Sequence, residues 1–199
     1  SLEADGVQVL IYRREIARFR FRRHRLRRLH RKLVVVDARI AFVGGINIID
    51  DINTPRHTPP RYDYAVRVEG PLLAHIHASA RELWELVTWA NFKRRLRAHM
   101  HPPVVTERLG SVLAAFLVRD NLRHRRDIED AYMDAINAAK EEIVLANAYF
   151  LPGIRFRHAL MNASQRGVRV IILLQGRVEY LLLHYAAQAL YGALLGAGV

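Results

Sequence analysis

His30-Arg31-Lys32-Leu33-Val34-Val35-Val36-Asp37-Ala38-Arg39-Ile40-Ala41-Phe42-Val43-Gly44-Gly45-Ile46-Asn47 is the stretch that decides how the rest of the chain is read. Leu33–Val36 is a short continuous apolar run of the buried-strand type, Asp37-Ala38-Arg39 turns the chain, and Ile40–Val43 continues as a second strand. Laid over this strand–turn–strand is the spacing H-x-K-x4-D-x6-G-G-x-N. By average residue usage, the H, K and D alone recur by chance in roughly one chain in a hundred of this size, and the full pattern in on the order of one in 10^5. The competing reading, in which His30 and Lys32 are two more charges in a basic run, has to survive that estimate. The chemistry also suits the residues. A histidine can attack as a neutral nucleophile and leave as a cation near neutral pH. A lysine two residues on, along an extended segment, points to the same side and can neutralise a phosphate oxygen.

The chain has 199 residues, is 51% hydrophobic, has no cysteine, and carries a formal charge of +12. That length can bury one good core or two small ones. Without cysteine there is no disulfide, no thiolate nucleophile and no cysteine metal site. The charge calls for an anionic partner. It is concentrated: from Arg13 to Arg31 there are ten arginines and one glutamate, and Phe19 and Phe21 alternate with Arg18, Arg20 and Arg22. Such a run suits lipid headgroups or nucleic acid, or is a solvated loop that only aids solubility.

The remaining segments read as mixed α/β. Strands are expected at Gly6–Tyr12 and Tyr64–Glu69. A helix starts at Gly70-Pro71, with Leu73, Ile76, Ala80, Leu83, Trp84 and Val87 as its apolar face. His75 and His77 cannot share a helix face, and His99 and His101 lack further ligands at a useful spacing, so no metal site is expected. Residues 91–126 read as a connector between a first part, residues 1–90, and a second, residues 127–199. The second part alternates regularly. A helix at Asp127–Lys140 carries Ile128, Ala131, Tyr132, Ala135, Ile136 and Ala139 on one side. A strand at Glu142–Asn147, a helix at Ile154–Arg166 ended by Gly167, and a buried strand at Val168–Leu174 follow. Leu181–Val199 has no charged residue and contains Gly192-x-x-x-Gly196, but His184, Gln188 and the preceding βαβ pattern favour a buried helix over a membrane span.

The H-x-K-x4-D-x6-G-G-x-N pattern resembles the HKD motif of the phospholipase D superfamily. Other segments extend the likeness to the cardiolipin synthases of that superfamily: Arg61-Tyr62-Asp63-Tyr64-Ala65-Val66-Arg67-Val68-Glu69-Gly70-Pro71, Ala146-Asn147-Ala148-Tyr149-Phe150-Leu151-Pro152, Arg166-Gly167-Val168-Arg169-Val170 and Leu174-Gln175-Gly176-Arg177-Val178-Glu179-Tyr180. The implied fold is a phospholipase D-like mixed sheet flanked by helices, with the end of one repeat followed by the start of a second. Ala38 departs from the family's usual glycine. A larger departure is that none of the other nine histidines is followed at the second position by lysine, whereas the family carries two HKD motifs. The expectation is a fragment running from just before one motif to just before the next.

The resemblance implies a two-step phosphatidyl transfer through a phosphohistidine at His30, with Lys32 and Asn47 holding the non-bridging oxygens. Asp63 corresponds to the carboxylate that orients the nucleophilic ring. Asp37 belongs to the motif and anchors the turn. No metal or cofactor is implied. The expected substrate is an anionic, phosphatidylglycerol-like phospholipid, met at the cytoplasmic side of a bacterial cell membrane through the Arg13–Arg31 run. Two other readings stay open: a one-motif phosphodiesterase or nuclease in which two copies pool their histidines, and a non-catalytic protein that binds anionic lipid. Nucleic acid is the less favoured partner.

Overall fold

The computed structural model describes residues 2–10, 12, 29–48, 62–90, 102–119, 124–176, 178 and 180–199. Most of the Arg13–Arg31 run, His99 and His101 lie outside them. The chain forms two compact units, residues 1–116 and 117–199.

The first unit is a three-stranded antiparallel sheet, β1 (Lys32–Val36), β2 (Ile40–Gly44) and β3 (Ala65–Val68), in the order β1-β2-β3, with helix α1 (Leu72–Ala90). The ladder pairs Lys32 with Gly44 and Val36 with Ile40, and β2 pairs Ala41 with Val68 and Gly44 with Ala65. The strand period of two then sorts the faces. Leu33, Val35, Val43 and Val68 pack with buried Ala41 against Leu73 and Ile76 of α1. Lys32, Val34, Val36, Phe42 and Arg67 take the opposite face, where Val34, Val36 and Phe42 are exposed. On α1 the expected apolar face holds for Leu73, Ile76 and Val87, while Trp84 is 37% exposed. Val104 and Phe116 also join this core, and the Val105 amide donates to the Ala38 carbonyl at 3.0 Å.

The hairpin between β1 and β2 turns at Asp37 (φ 51) and Ala38 (φ 50), both left-handed, and the Arg39 amide donates back to the Val36 carbonyl at 3.0 Å. A pair of positive φ values fits the right-handed twist of the flanking strands, and glycine or asparagine is the usual choice there. Ala38, buried, takes it at a steric cost. The expected strand at Gly6–Tyr12 does not form among the described residues. Residues 2–6 make a turn with Gly6 at φ +82, closed by the Val7 amide on the Leu2 carbonyl at 3.0 Å, and residues 7–10 carry no regular secondary structure. Alternating valines favour an extended chain, but a strand needs a neighbour to satisfy its amides.

The second unit contains helix α2 (Asp127–Ala138), β4 (Glu142–Asn147), helix α3 (Ile154–Gln165), β5 (Arg169–Leu174) and helix α4 (Leu181–Gly196). β4 and β5 pair in parallel, Glu142 opposite Arg169 and Asn147 opposite Leu174, with α3 as the crossover between them. Their inward side chains meet Ile136, Phe150, Ala159, Leu160, Ala163 and Leu194 in one core. Gly167 (φ +86) ends α3: its amide reaches the Ser164 carbonyl at 2.8 Å and Val168 reaches Ala163 at 3.1 Å. Two helices differ from expectation. α2 stops at Ala138 because Ala139 is already extended (ψ 137), and its inward residues are Ile136 and Met133, with Ala131, Tyr132 and Ala135 exposed. α4 buries Ala187 and Leu194 but leaves Leu182 86% and Leu195 70% exposed, so it is a surface helix of this unit and not a buried one. Among the described residues no helix is long and apolar enough to cross a membrane.

Candidate active site at the entry to β1

His30 stands two residues ahead of the first ladder pair, and Lys32 is the first residue of β1. Extended geometry puts both on the side away from α1. The Lys32 ammonium donates to the His30 carbonyl at 3.0 Å, which keeps the cation beside the His30 backbone. His30 is exposed, so its imidazole is open to an external ligand.

The glycine pair and the aspartate belong to the same end of the sheet. A Cβ on Gly44 would lie 2.5 Å from Ala65 Cα and overlap the Tyr64 carbonyl oxygen, which the Gly45 amide binds at 2.9 Å. A Cβ on Gly45 would overlap Asp63 Oδ1 and come within 3.0 Å of Asp63 Cγ. The two glycines therefore let the chain just before β3 lie against the end of β2, and they seat the Asp63 carboxylate beside Gly45. Asp63 Oδ1 accepts the Tyr64 amide at 2.8 Å, which fixes the carboxylate's orientation. The spacing signal for Gly44-Gly45 was in the motif, but its partner, the Asp63–Ala65 approach, was not.

Asn47 follows the glycines, exposed, three residues beyond the ladder partner of Lys32. The structure thus brings His30, Lys32, Asn47 and Asp63 to one end of the three-stranded sheet. It does not bring Asp37 there. Asp37 occupies the hairpin turn at the other end of β1, roughly 20 Å from His30 at about 3.3 Å of rise per residue. Among the described residues no three His, Asp or Glu side chains gather in a way that can hold a metal ion.

In the second unit, Ala148, Tyr149 and Phe150 meet Leu174, Gln175, Val178 and Tyr180 at the carboxyl ends of the parallel strands. Tyr149, Phe150, Gln175, Tyr180 and His184 line one small cleft there, and the Tyr149 and Tyr180 rings meet edge to face at 5.9 Å. Open parallel sheets place ligand clefts outside these strand ends.

Residues 132–199 match the family described as cardiolipin synthase, PLD-like domain. Over all 199 residues the chain is 38% identical to cardiolipin synthase B of Escherichia coli (strain K12), covering 48% of that protein. It is 41% identical over 173 residues, 87% of the chain, to cardiolipin synthase B of Salmonella typhimurium, covering 41% of it. It is 30% identical over 184 residues, 86% of the chain, to cardiolipin synthase A of Klebsiella pneumoniae, covering 35% of it. No solved structure matches significantly. The chain spans about half or less of the length of these curated relatives. The mixed α/β fold, the strand–turn–strand bearing His30 and Lys32, and a likeness that runs through both units agree: residues 132–199 carry a phospholipase D-like domain of the cardiolipin synthase type, and the whole chain is similar to the cardiolipin synthases.

Proposed function

We propose that this chain carries the nucleophilic part of a phosphatidyltransferase site that makes cardiolipin from phosphatidylglycerol-like lipids. The observation that supports it most is the shared edge of His30 and Lys32 at the open end of the sheet where Asn47 and Asp63 also stand. His30 attacks phosphorus, the P–O bond to the leaving glycerol breaks, and that oxygen takes the bonding pair. The phosphohistidine so formed divides one hard displacement into two easier ones. Lys32 and Asn47 stabilise the charge that develops on the non-bridging oxygens. Asp63, held by the Tyr64 amide and seated against Gly45, orients the imidazole in the manner of a triad aspartate. Asp37 holds the hairpin turn.

The departing alkoxide needs a proton, and in this reading a second histidine supplies it and later activates the acceptor alcohol. The 199 residues contain one H-x-K-x4-D. The isolated chain is therefore expected to form the phosphohistidine only when the leaving group needs no proton, and to make negligible cardiolipin. The substrate surface is the cytoplasmic face of a bacterial membrane, met peripherally through the arginine run before His30. Each basic residue near such a surface contributes about 1 kcal/mol, screened by salt.

The test is single-turnover reaction with bis(p-nitrophenyl) phosphate, whose nitrophenolate departs without protonation. One equivalent of nitrophenolate per chain, with the nitrophenyl phosphoryl mass on His30, is the expected result. No burst, or an undiminished burst in His30→Ala, overturns the assignment.

A further inference from the structure

We propose that Arg31, the residue between the two motif side chains, is a positioning residue for His30, clipping the entry of β1 to helix α1 through Ser79. The proposal rests on the phosphoryl-transfer reading of His30. The Arg31 guanidinium donates through Nη1 to Ser79 Oγ at 2.9 Å, with a longer contact to the Ser79 carbonyl at 3.4 Å, across 48 residues of sequence. Both are part-buried. Arg31 is the last of the ten arginines in the basic run, and its head group turns inward to a helix.

The placement explains why that matters. The β1–β2 ladder begins at Lys32, so His30 and Arg31 precede the sheet. A nucleophile on a chain entry frays unless something else ties the entry down. In an extended segment Arg31 points to the same side as Leu33 and Val35, toward α1, and His30 and Lys32 point the opposite way. Ser79 stands one turn beyond Ile76, a fully buried residue of α1, so the anchor is a rigid part of the first core. A charged donor on a hydroxyl and a carbonyl is stronger than a neutral pair. Fixing Arg31 on one side fixes the direction in which its neighbour His30 leaves the other. A misplacement of about 1 Å at a nucleophile costs about 10^2 in rate.

The experiment uses the full 199-residue chain, with the burst rate measured against bis(p-nitrophenyl) phosphate concentration. Arg31→Ala is expected to lower the maximal rate 30- to 100-fold with the half-saturating concentration unchanged, about the 10^2 that a displaced nucleophile loses. Ser79→Ala keeps the carbonyl and should lose roughly 3- to 10-fold, a fraction of that loss. The double variant should be no slower than Arg31→Ala, because both changes remove one interaction. Arg31→Lys should restore part of the rate, since an ammonium still donates to Ser79 but from a differently shaped and shorter head group than the guanidinium. Arg81→Ala, which removes an exposed arginine paired with Glu85 on the same helix, should leave the rate unchanged. A second readout needs no chemistry: the backbone order parameter of His30 should fall from the rigid range near about 0.85 toward about 0.6 in Arg31→Ala and Ser79→Ala. A raised half-saturating concentration at full maximal rate would make Arg31 a phosphate contact and overturn the proposal. So would a multiplicative double variant, or unchanged order at His30. A wild-type chain without a burst would sink the phosphoryl-transfer reading alone, and the relaxation data would still judge the clip.

Discussion

Replacing each glycine of the Gly44-Gly45 pair by alanine should separate stability from chemistry within one dipeptide. At Gly44 the new methyl would sit 2.5 Å from Ala65 Cα and overlap the Tyr64 carbonyl. Both obstacles are backbone, so β3 has to retreat by about 1 Å to restore ordinary contact near 3.4 Å. That retreat opens the last ladder pair, Gly44–Ala65, and the 2.9 Å bond from the Gly45 amide to Tyr64. Two hydrogen bonds at about 1 kcal/mol each, plus overpacking strain of about 1 kcal/mol or more, give a loss of about 3 kcal/mol. Among the described residues the first core has three fully buried hydrophobic residues, Ala41, Leu73 and Ile76, so such a loss is a large share of its stability. At Gly45 the obstacle is the end of the Asp63 side chain, which can swing away. The cost there is the Tyr64 amide bond at 2.8 Å, about 1 kcal/mol at an exposed site.

The chain supplies its own probe, because its two tryptophans, Trp84 and Trp89, both lie on α1 of the first unit. Urea unfolding followed by tryptophan fluorescence should show Gly44→Ala with a midpoint lower by about 2 M, from about 3 kcal/mol over a slope of about 1.5 kcal/mol/M. Gly45→Ala should unfold within about 1 M of wild type and, on the proposed role of Asp63 in orienting His30, lose most of its nitrophenolate burst because that carboxylate is displaced. Equal midpoints for Gly44→Ala and wild type would refute the close approach of β2 and β3. A Gly45→Ala burst at the wild-type rate would remove Asp63 from the site.

Three further outcomes are expected. Lys32→Ala should slow the burst by about 10^2 while leaving the tryptophan melt in place, since it removes charge stabilisation from a part-exposed side chain. Ala38→Gly should change stability by no more than about 1 kcal/mol, as relief of the left-handed strain is offset by the lost methyl and a freer unfolded chain, whereas Ala38→Val should cost about 2 kcal/mol or more in the same melt. Gly167→Ala should destabilise the second unit by about 1 kcal/mol for purely conformational reasons, since a methyl there meets nothing within 4 Å, and thermal unfolding by circular dichroism checks it.

Legibility in the sequence followed the range of the forces involved. Patterns carried by neighbours along the chain were readable. The Leu33–Val36 and Ile40–Val43 runs became β1 and β2, Gly167 ended α3 as a left-handed cap, and the strand–helix–strand of the second unit formed a parallel pair. Features set by what lies across space were not. Val7 and Val9 alternate like a strand, yet a strand is a relation to a partner, and none pairs with them among the described residues. The face of α2 was drawn from apolar spacing and the burial of α4 from its lack of charge, but neither says how much of a helix a neighbour covers, so Tyr132 and Leu182 end exposed.

The site divides along the same line. His30, Lys32 and Asn47 are close in sequence, and their shared edge follows from strand geometry and a motif of fixed length. Asp37 is equally close in sequence and stands at the far end, because the same strand that joins two residues two apart separates residues seven apart. The groups that hold the site in place come from far along the chain: Asp63 lies beside Gly45 from well over a dozen positions further on, and Ser79 accepts from Arg31 across 48 residues of sequence. A run of ten arginines conceals the second contact, because composition assigns all of them to solvent or to an anionic surface. The alternation of β1 sends Arg31 to the helix side, where it meets Ser79.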